Sequence, residues 1–162
     1  MNKKFVALVV FGVAFGFVEA AVVYYLRTIF GASPNALAQQ GHRVILNLGA
    51  IAFLAPGSIV LPNVRVSQVE ALREIATLVM LGAVSFIAGE KWRTRLAALL
   101  ISFASWDLFY YAFLYLLTGW PKSLLDIDVF FIDPIPWVGP VITPVVISLI
   151  LFAVGTRMFG RG

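Results

Sequence analysis

The chain contains no cysteine and only one histidine, His42, among its 162 residues. Without cysteine there is no disulfide, no thiol nucleophile and no thiolate metal site. A lone histidine cannot build the multi-histidine sites of haem, copper or di-iron membrane enzymes. Because phosphate loops, zinc signatures and nucleophile–base pairs are missing as well, the sequence does not favour an enzyme and identifies no cofactor.

Charged residues are also scarce. They make up 12% of the chain and hydrophobic residues 61%, whereas soluble domains carry about 25% charged residues. Such a chain cannot cover itself with polar surface, so we expect an integral membrane protein surrounded by membrane lipids. The net charge of +4 comes from basic residues at the ends of apolar runs. That placement suits anionic lipid headgroups, and we expect no nucleic acid partner.

Four apolar segments are long enough to cross a bilayer, which takes about 20 apolar residues in a helix. They cover residues 5–26, 69–89, 96–119 and 138–159. A further apolar segment, 44–62, is interrupted by Pro56 and Gly57. The sequence therefore predicts one all-α domain over residues 1–162, a polytopic bundle of transmembrane helices. We expect four spans, with 44–62 as a re-entrant or interfacial segment on the outer side, and five spans are the alternative.

The basic residues distinguish four spans from five. With four spans, seven basic residues lie on the cytoplasmic side and five on the outer side, and with five spans these numbers are reversed. The positive-inside rule favours four spans, and the cluster Lys91, Arg93 and Arg95 between the second and third spans weighs most. We therefore expect a multi-pass protein with both termini in the cytoplasm.

Small residues recur in the first span at the spacing that lets helices approach closely. Gly12 and Gly16 form a Gly-x-x-x-Gly pattern, and Ala20 follows four residues further on. Small residues at this spacing bring helix backbones together in membranes. We expect this face to pack within the bundle rather than to form a dimer.

Acidic residues within the spans are the most informative feature, because buried charge in a membrane is costly and usually functional. At 1.5 Å rise per residue, Glu19, Glu74 and Asp107 lie about 21, 22 and 17 Å above the inner boundary. The sequence therefore predicts a carboxylate layer in the outer half of the bilayer, with Arg73 beside it. Two negative charges would then be protonated or met by a cation.

Other polar residues extend this layer. Tyr110 and Tyr111 follow Asp107 by three and four residues, so one phenol can share its face. A stiff, proline-rich loop over residues 120–140 brings Asp128 to the same side as a lid or as an interfacial anchor. The candidate binding or ion site consists of seven residues: Glu19, Arg73, Glu74, Asp107, Tyr110, Tyr111 and Asp128. Carboxylates of this kind suit hard cations or protons, and the identity of any metal is unknown.

A structural interpretation of the same residues stays open. Arg73 can neutralise one of the carboxylates in an ion pair that serves folding alone. Ser67 and Glu70 have the spacing of a capping box, with Ser67 as the N-cap. That pattern assigns Glu70 a local role at a helix start and removes it from the candidate site.

Several short stretches together resemble a family of short bacterial inner-membrane proteins with no known activity. The resemblance covers about half of the chain and rests on Phe17-Val18-Glu19, Glu70-x-x-Arg73-Glu74, Trp106-Asp107-x-x-Tyr110-Tyr111, Gly119-Trp120-Pro121 and Pro134-x-Pro136-Trp137. It implies a multi-pass protein of the bacterial inner membrane and supplies no activity. The segment 44–62 departs from the family, whose linker is more polar there.

Three functions are compatible with these features. The first is a small transporter that moves a cation or a proton-coupled solute through the carboxylate site. The second is a non-catalytic subunit or assembly factor of a larger membrane complex, with other membrane subunits or a second copy as partner. The third, an intramembrane enzyme with a carboxylate–tyrosine acid–base pair acting on a lipid or quinone, ranks last because no nucleophile is marked.

Overall fold

Four long helices dominate the computed structural model, which describes residues 3–31, 43–56, 58, 63–132 and 135–160. The helices are α1 (Lys3–Phe30), α2 (Val64–Ala88), α3 (Trp92–Thr118) and α4 (Ile142–Phe159). Four short strands stand between them: β1 (Val44–Asn47), β2 (Ala52–Leu54), β3 (Ile127–Phe131) and β4 (Trp137–Pro140). His42 and the loop residue Asp133 lie outside the described residues.

Each helix is long and apolar enough to cross a membrane. They contain 28, 25, 27 and 18 residues, with mean hydropathies between 1.5 and 2.5 over their most apolar windows. The prediction of four such helices is confirmed, and this composition indicates a membrane protein. No helix forms over the described part of 44–62, so the five-span alternative is wrong there.

Helix α2 begins five residues earlier than the predicted span 69–89. Its N-cap is Asn63, whose side chain accepts a hydrogen bond from the Val66 backbone N–H at 3.0 Å. Asparagine is among the strongest N-cap residues, since its side-chain oxygen satisfies a free backbone donor of the first turn. Ser67 therefore lies inside the helix, and the predicted capping box between Ser67 and Glu70 is wrong.

Helix α3 is the centre of the bundle, because it packs against each of the other three helices. Its contact with α1 is close: a Cβ added to Gly16 would lie 2.7 Å from the Trp106 carbonyl oxygen. One added to Gly12 would lie 2.8 Å from the Ser102 carbonyl oxygen. The expectation that this Gly-x-x-x-Gly pattern packs within the bundle is confirmed.

The strands form one antiparallel sheet with the order β1-β2-β4-β3. The all-α prediction is therefore wrong for the two connections that contain these strands. β1 pairs with β2 and β3 pairs with β4, and the two pairs join where Ala52 of β2 pairs with Val138 of β4. Pairing satisfies backbone N–H and C=O groups that a non-helical segment leaves exposed. The segment predicted to be re-entrant or interfacial supplies β1 and β2.

All four strands lie at one end of the bundle, called the sheet end below. The connections that carry them leave α1 and α3 at their C-terminal ends and enter α2 and α4 at their N-terminal ends. Helix α4 consequently starts at Ile142, four residues after the predicted span begins, since 137–140 belongs to β4. The sheet thus covers the helix ends nearest the predicted carboxylate layer.

The close approach of α1 to α3 leads to a stability prediction. We expect Gly16→Ala to destabilise the bundle by about 1–3 kcal/mol, the usual cost of an added methyl in a filled core. The measurement is thermal unfolding in detergent by circular dichroism. Gly82→Ala in α2 is the matched control, because a Cβ there meets nothing within 4 Å. Equal melting temperatures for the two variants would contradict the close packing.

Candidate functional site

A cavity of about 180 Å³ lies between the helices on the side of the sheet, and all four helices and the sheet line it. The seven residues predicted from the sequence all contribute to its wall: Glu19, Arg73, Glu74, Asp107, Tyr110, Tyr111 and Asp128. Two charged residues that the prediction missed, Arg27 and Glu70, line it as well. The cavity therefore joins groups from distant parts of the chain into one site.

The carboxylates of the helices lie at similar distances from the sheet end. Glu19 and Asp107 each stand eleven residues before the C-terminal ends of α1 and α3. Glu74 stands ten residues after the start of α2. At 1.5 Å per residue these distances correspond to about 15–17 Å along each helix. Antiparallel helices thus bring the three side chains to one level.

Arg73 forms the strongest polar contacts at the site. Its Nε and Nη2 donate to the two carboxylate oxygens of Glu70 at 2.9 and 2.6 Å. Its Nη1 donates to Glu19 Oε2 at 2.5 Å, which connects α2 to α1. Charge-assisted and two-pronged bonds of this kind are stronger than neutral ones and fix geometry. Arg73 therefore binds both Glu19 and Glu70 with a single positive charge, and Glu74 makes a different contact.

Glu70 belongs to the site, although its sequence pattern predicts a role in capping the helix. Its side chain is buried against Arg73 and takes no part in capping α2. The spacing of three residues between Glu70 and Arg73 is the signal that was available, because residues at i and i+3 face each other on a helix. The capping pattern at Ser67 offered another explanation for Glu70, so this spacing was not used.

Glu74 connects α2 to the end of β3. Its Oε1 and Oε2 accept the backbone N–H of Ile132 at 3.2 and 2.9 Å. Because Glu74 lies well within its helix, the chain at the end of β3 reaches down beside α2. Phe131, the last residue of β3, packs its ring 6.4 Å from that of Trp106 in α3. The sheet thus extends into the bundle rather than resting above it.

Two further acidic side chains connect α3 to its neighbours. Ser148 of α4 donates to Asp107 Oδ2 at 2.8 Å. Tyr111 donates its hydroxyl to Asp128 Oδ2 of β3 at 3.0 Å. The sequence predicts that one tyrosine shares a face with Asp107. Tyr111 and Asp107 both line the cavity, but the Tyr111 hydroxyl bonds to Asp128 and not to Asp107. Tyr110 lines the cavity beside it, with its ring 4.8 Å from the ring of Tyr111.

Aromatic rings supply much of the remaining wall of the cavity. Those outside the predicted site are Phe103, Trp106, Phe130, Phe131 and Trp137. Aromatic faces attract cations, and they do so more strongly when water is excluded. The wall therefore combines an apolar surface with acidic groups, which is the usual composition of a small-molecule site.

The charges around the cavity do not balance. Five carboxyl groups line it, those of Glu19, Glu70, Glu74, Asp107 and Asp128, against the two guanidinium groups of Arg27 and Arg73. Within the described ranges, no three acidic or histidine side chains are arranged to hold a metal ion. The carboxyl groups are thus distributed around the wall. This arrangement can hold protons or a cation large enough to touch several walls.

Asp128 is the acidic group of the site that belongs to the sheet. Burial raises the pKa of Asp128 to about 6, because an ionised carboxylate loses its hydration there. The positive charge of Arg27 and the hydrogen bond from Tyr111 act in the opposite direction and are outweighed. This carboxyl group therefore exchanges its proton close to neutral pH.

Comparisons with known proteins return no relative: no family model, curated protein or solved structure matches this chain. The resemblance to bacterial inner-membrane proteins therefore stays a prediction. The function is proposed below from the geometry of the cavity.

The raised pKa of Asp128 predicts a pH dependence. Its proton is bound more tightly in the folded protein, so the contribution of this group to stability is full at low pH and is lost as the pH rises from the ordinary value of 3.8 to about 6. Two pH units correspond to a loss of about 3 kcal/mol. We expect a smaller decline of the melting temperature over this range in Asp128→Asn, which keeps an acceptor for Tyr111.

Glu90→Gln is the control for the change of charge, because Glu90 is exposed at the far end of α2. This control should decline with pH as the wild type does. Infrared difference spectra of wild type minus Asp128→Asn should show a protonated carboxyl band at pH 5 that disappears by pH 7. A spectrum without that band at pH 5 would contradict the assignment.

Proposed function

We propose that this protein is a multi-pass membrane protein that binds a cation in the acidic cavity and exchanges it for protons across the membrane. The single observation that carries the proposal is the excess of carboxyl groups around one partly enclosed, aromatic cavity. Ionisable groups inside a membrane bundle usually mark a substrate or proton pathway. The four apolar helices support the membrane location.

The composition of the wall favours an organic cation over a chelated metal ion. A small divalent cation needs several oxygen ligands at about 2.0–2.6 Å from one point, and the described carboxyl groups do not converge in that way. An ammonium group can instead rest on aromatic faces while neighbouring carboxylates balance its charge. Trp106 and Trp137 are the widest such faces in the wall.

Asp107 is the best placed proton carrier. It is held by Ser148 between α3 and α4 and lines the cavity directly. Arg73 makes its ion pairs with Glu19 and Glu70, which α1 and α2 contribute to the wall. A carboxyl group that alternates between a proton and a substrate cation couples the two, since both states neutralise the same charge. Arg73 with its two partners then serves as the fixed part of the wall.

The proposed orientation places the sheet and the cavity on the outer side. Lys91, Arg93 and Arg95 mark the opposite end of the bundle, at the turn between α2 and α3. Positive charge of this density in a short connection belongs in the cytoplasm. Both termini then face the cytoplasm, and the cavity lies nearer the outer surface of a bacterial inner membrane.

One observation favours a second function, a subunit or assembly factor of a membrane complex. Strand β1 is an edge of the sheet and is exposed along its length, with Val44, Ile45 and Leu46 about half exposed. An exposed edge strand can pair with a strand of a partner. Co-migration with unrelated membrane proteins on native gels in mild detergent would favour this function over a transporter.

Transport can be tested in proteoliposomes that contain a pH-sensitive dye. We expect external ammonium cations, among them tetramethylammonium, to drive proton release from vesicles that contain the wild-type protein. Asp107→Asn should reduce this flux at least tenfold and should still fold, because asparagine keeps an acceptor for Ser148. Glu90→Gln, which removes an exposed carboxylate, is the matched control. Normal folding with undiminished flux in Asp107→Asn would contradict the proposed role.

A further inference from the structure

A groove on the outside of the bundle lies directly beside the cavity. It runs along one face of α2 next to the end of β3 and measures about 540 Å³. Its walls are Gln68, Ala71, Leu72, Glu74, Ile75, Leu78 and Phe131. Leu72 and Ile75 are 67% and 51% exposed, so this face of α2 points away from the protein. In a membrane the groove faces lipid.

The groove and the cavity share two residues, Glu74 and Phe131. These two side chains therefore stand at the boundary between the lipid-facing surface and the acidic interior. The boundary consists of the end of a strand beside a helix, and the Ile132 backbone N–H donates to the Glu74 carboxylate there. A path between the two spaces at this boundary runs between the β3 end and α2 rather than between two helices.

Size and charge together indicate what the combined space can hold. The cavity of about 180 Å³ is smaller than the roughly 300–1,000 Å³ that a drug-sized ligand needs. It accommodates a compact headgroup, and the carboxyl excess selects a positive one. The groove is lined chiefly by aliphatic side chains and an aromatic ring. It accommodates an alkyl chain at the level of the acyl chains of the bilayer.

We propose that the groove is a lateral entrance from the bilayer for a single-chain ammonium amphiphile. Its headgroup passes between Glu74 and Phe131 into the acidic cavity, and its alkyl chain stays in the groove. This inference rests on the proposed cation-binding function and names the substrate class. The headgroup leaves the interface for a wall of carboxylates and aromatic faces, so part of its lost hydration is replaced. The alkyl chain of the amphiphile never leaves an apolar environment.

The test compares two cations that share a headgroup, dodecyltrimethylammonium and tetramethylammonium. Binding is measured by calorimetry on the full-length protein in nanodiscs, with protein-free nanodiscs subtracted. We expect the wild type to bind the long-chain cation at least tenfold more tightly than the short one. Ile75→Trp, which fills the groove, should weaken binding of the long-chain cation at least tenfold and leave tetramethylammonium unchanged.

Val69→Trp is the matched control, since Val69 is 67% exposed on the same helix and does not line the groove. It should change neither affinity. A second measurement does not depend on a bulky substitution. Because the chain has no native cysteine, a maleimide modifies only Leu72→Cys or Val69→Cys. Dodecyltrimethylammonium should protect the cysteine of Leu72→Cys from the maleimide and should not protect that of Val69→Cys.

The outcomes separate the entrance from the cavity. If both cations bind the wild type equally and Leu72→Cys is not protected, the lateral entrance is overturned while the cation site stands. If neither cation binds the wild type, the entrance and the proposed function both fail. Loss of both cations in Ile75→Trp shows that the substitution distorts the cavity, and protection of Leu72→Cys then decides for or against the entrance.

Discussion

The arrangement of this bundle depends on the buried contact of Arg73 with Glu19 and Glu70. One guanidinium group holds two carboxylates and thereby fixes α2 against α1, two helices that otherwise make few contacts. Removing one partner of a buried pair typically costs about 3–5 kcal/mol, because the remaining charge is left uncompensated. The network is therefore a geometric constraint that fixes the position of α2 beside the cavity, which all three residues line.

The sheet completes the same constraint from the other side. Asp128 binds Tyr111 of α3, and Ile132 binds Glu74 of α2. Two hydrogen-bonded contacts thus hold β3 and the residue after it against helices that line the cavity. One of them involves Asp128, whose pKa burial raises to about 6. Under the proposed function, cation binding and proton exchange take place in the cavity that these contacts border.

The helices and the carboxylate level were predictable from the sequence, and the sheet was not. A run of about 20 apolar residues signals a span through local composition alone, and equal spacing from the helix ends brings Glu19 and Asp107 to one height. The sheet depends on pairing between β2 and β4, which belong to connections far apart in the chain. Local periodicity carries no information about such a partner. Helix α4 also starts later than predicted, because residues apolar enough for a helix belong to β4 instead.

Glu70 shows how one local assignment can conceal a site residue. The N-cap is Asn63 and not Ser67, so α2 starts one turn earlier than the capping pattern predicts. Glu70 therefore lies within the helix and bonds to Arg73. Arg27 was missed for a related reason. It ends the first apolar run, where a basic residue usually marks the membrane interface, and only the folded structure places it on the cavity wall, where its charge acts on Asp128.

The most direct measurement is solid-state NMR of the protein in lipid bilayers, with ¹⁵N-labelled arginine and ¹³C-labelled glutamate carboxyl groups. The chain has four glutamates, so each carboxyl signal can be assigned by single substitution. We expect one arginine side chain to show direct-contact couplings to two glutamate carboxyls, and Glu19→Gln to remove one coupling and leave the other. Arginine signals without any glutamate carboxyl in contact would contradict the buried network and the cavity built around it.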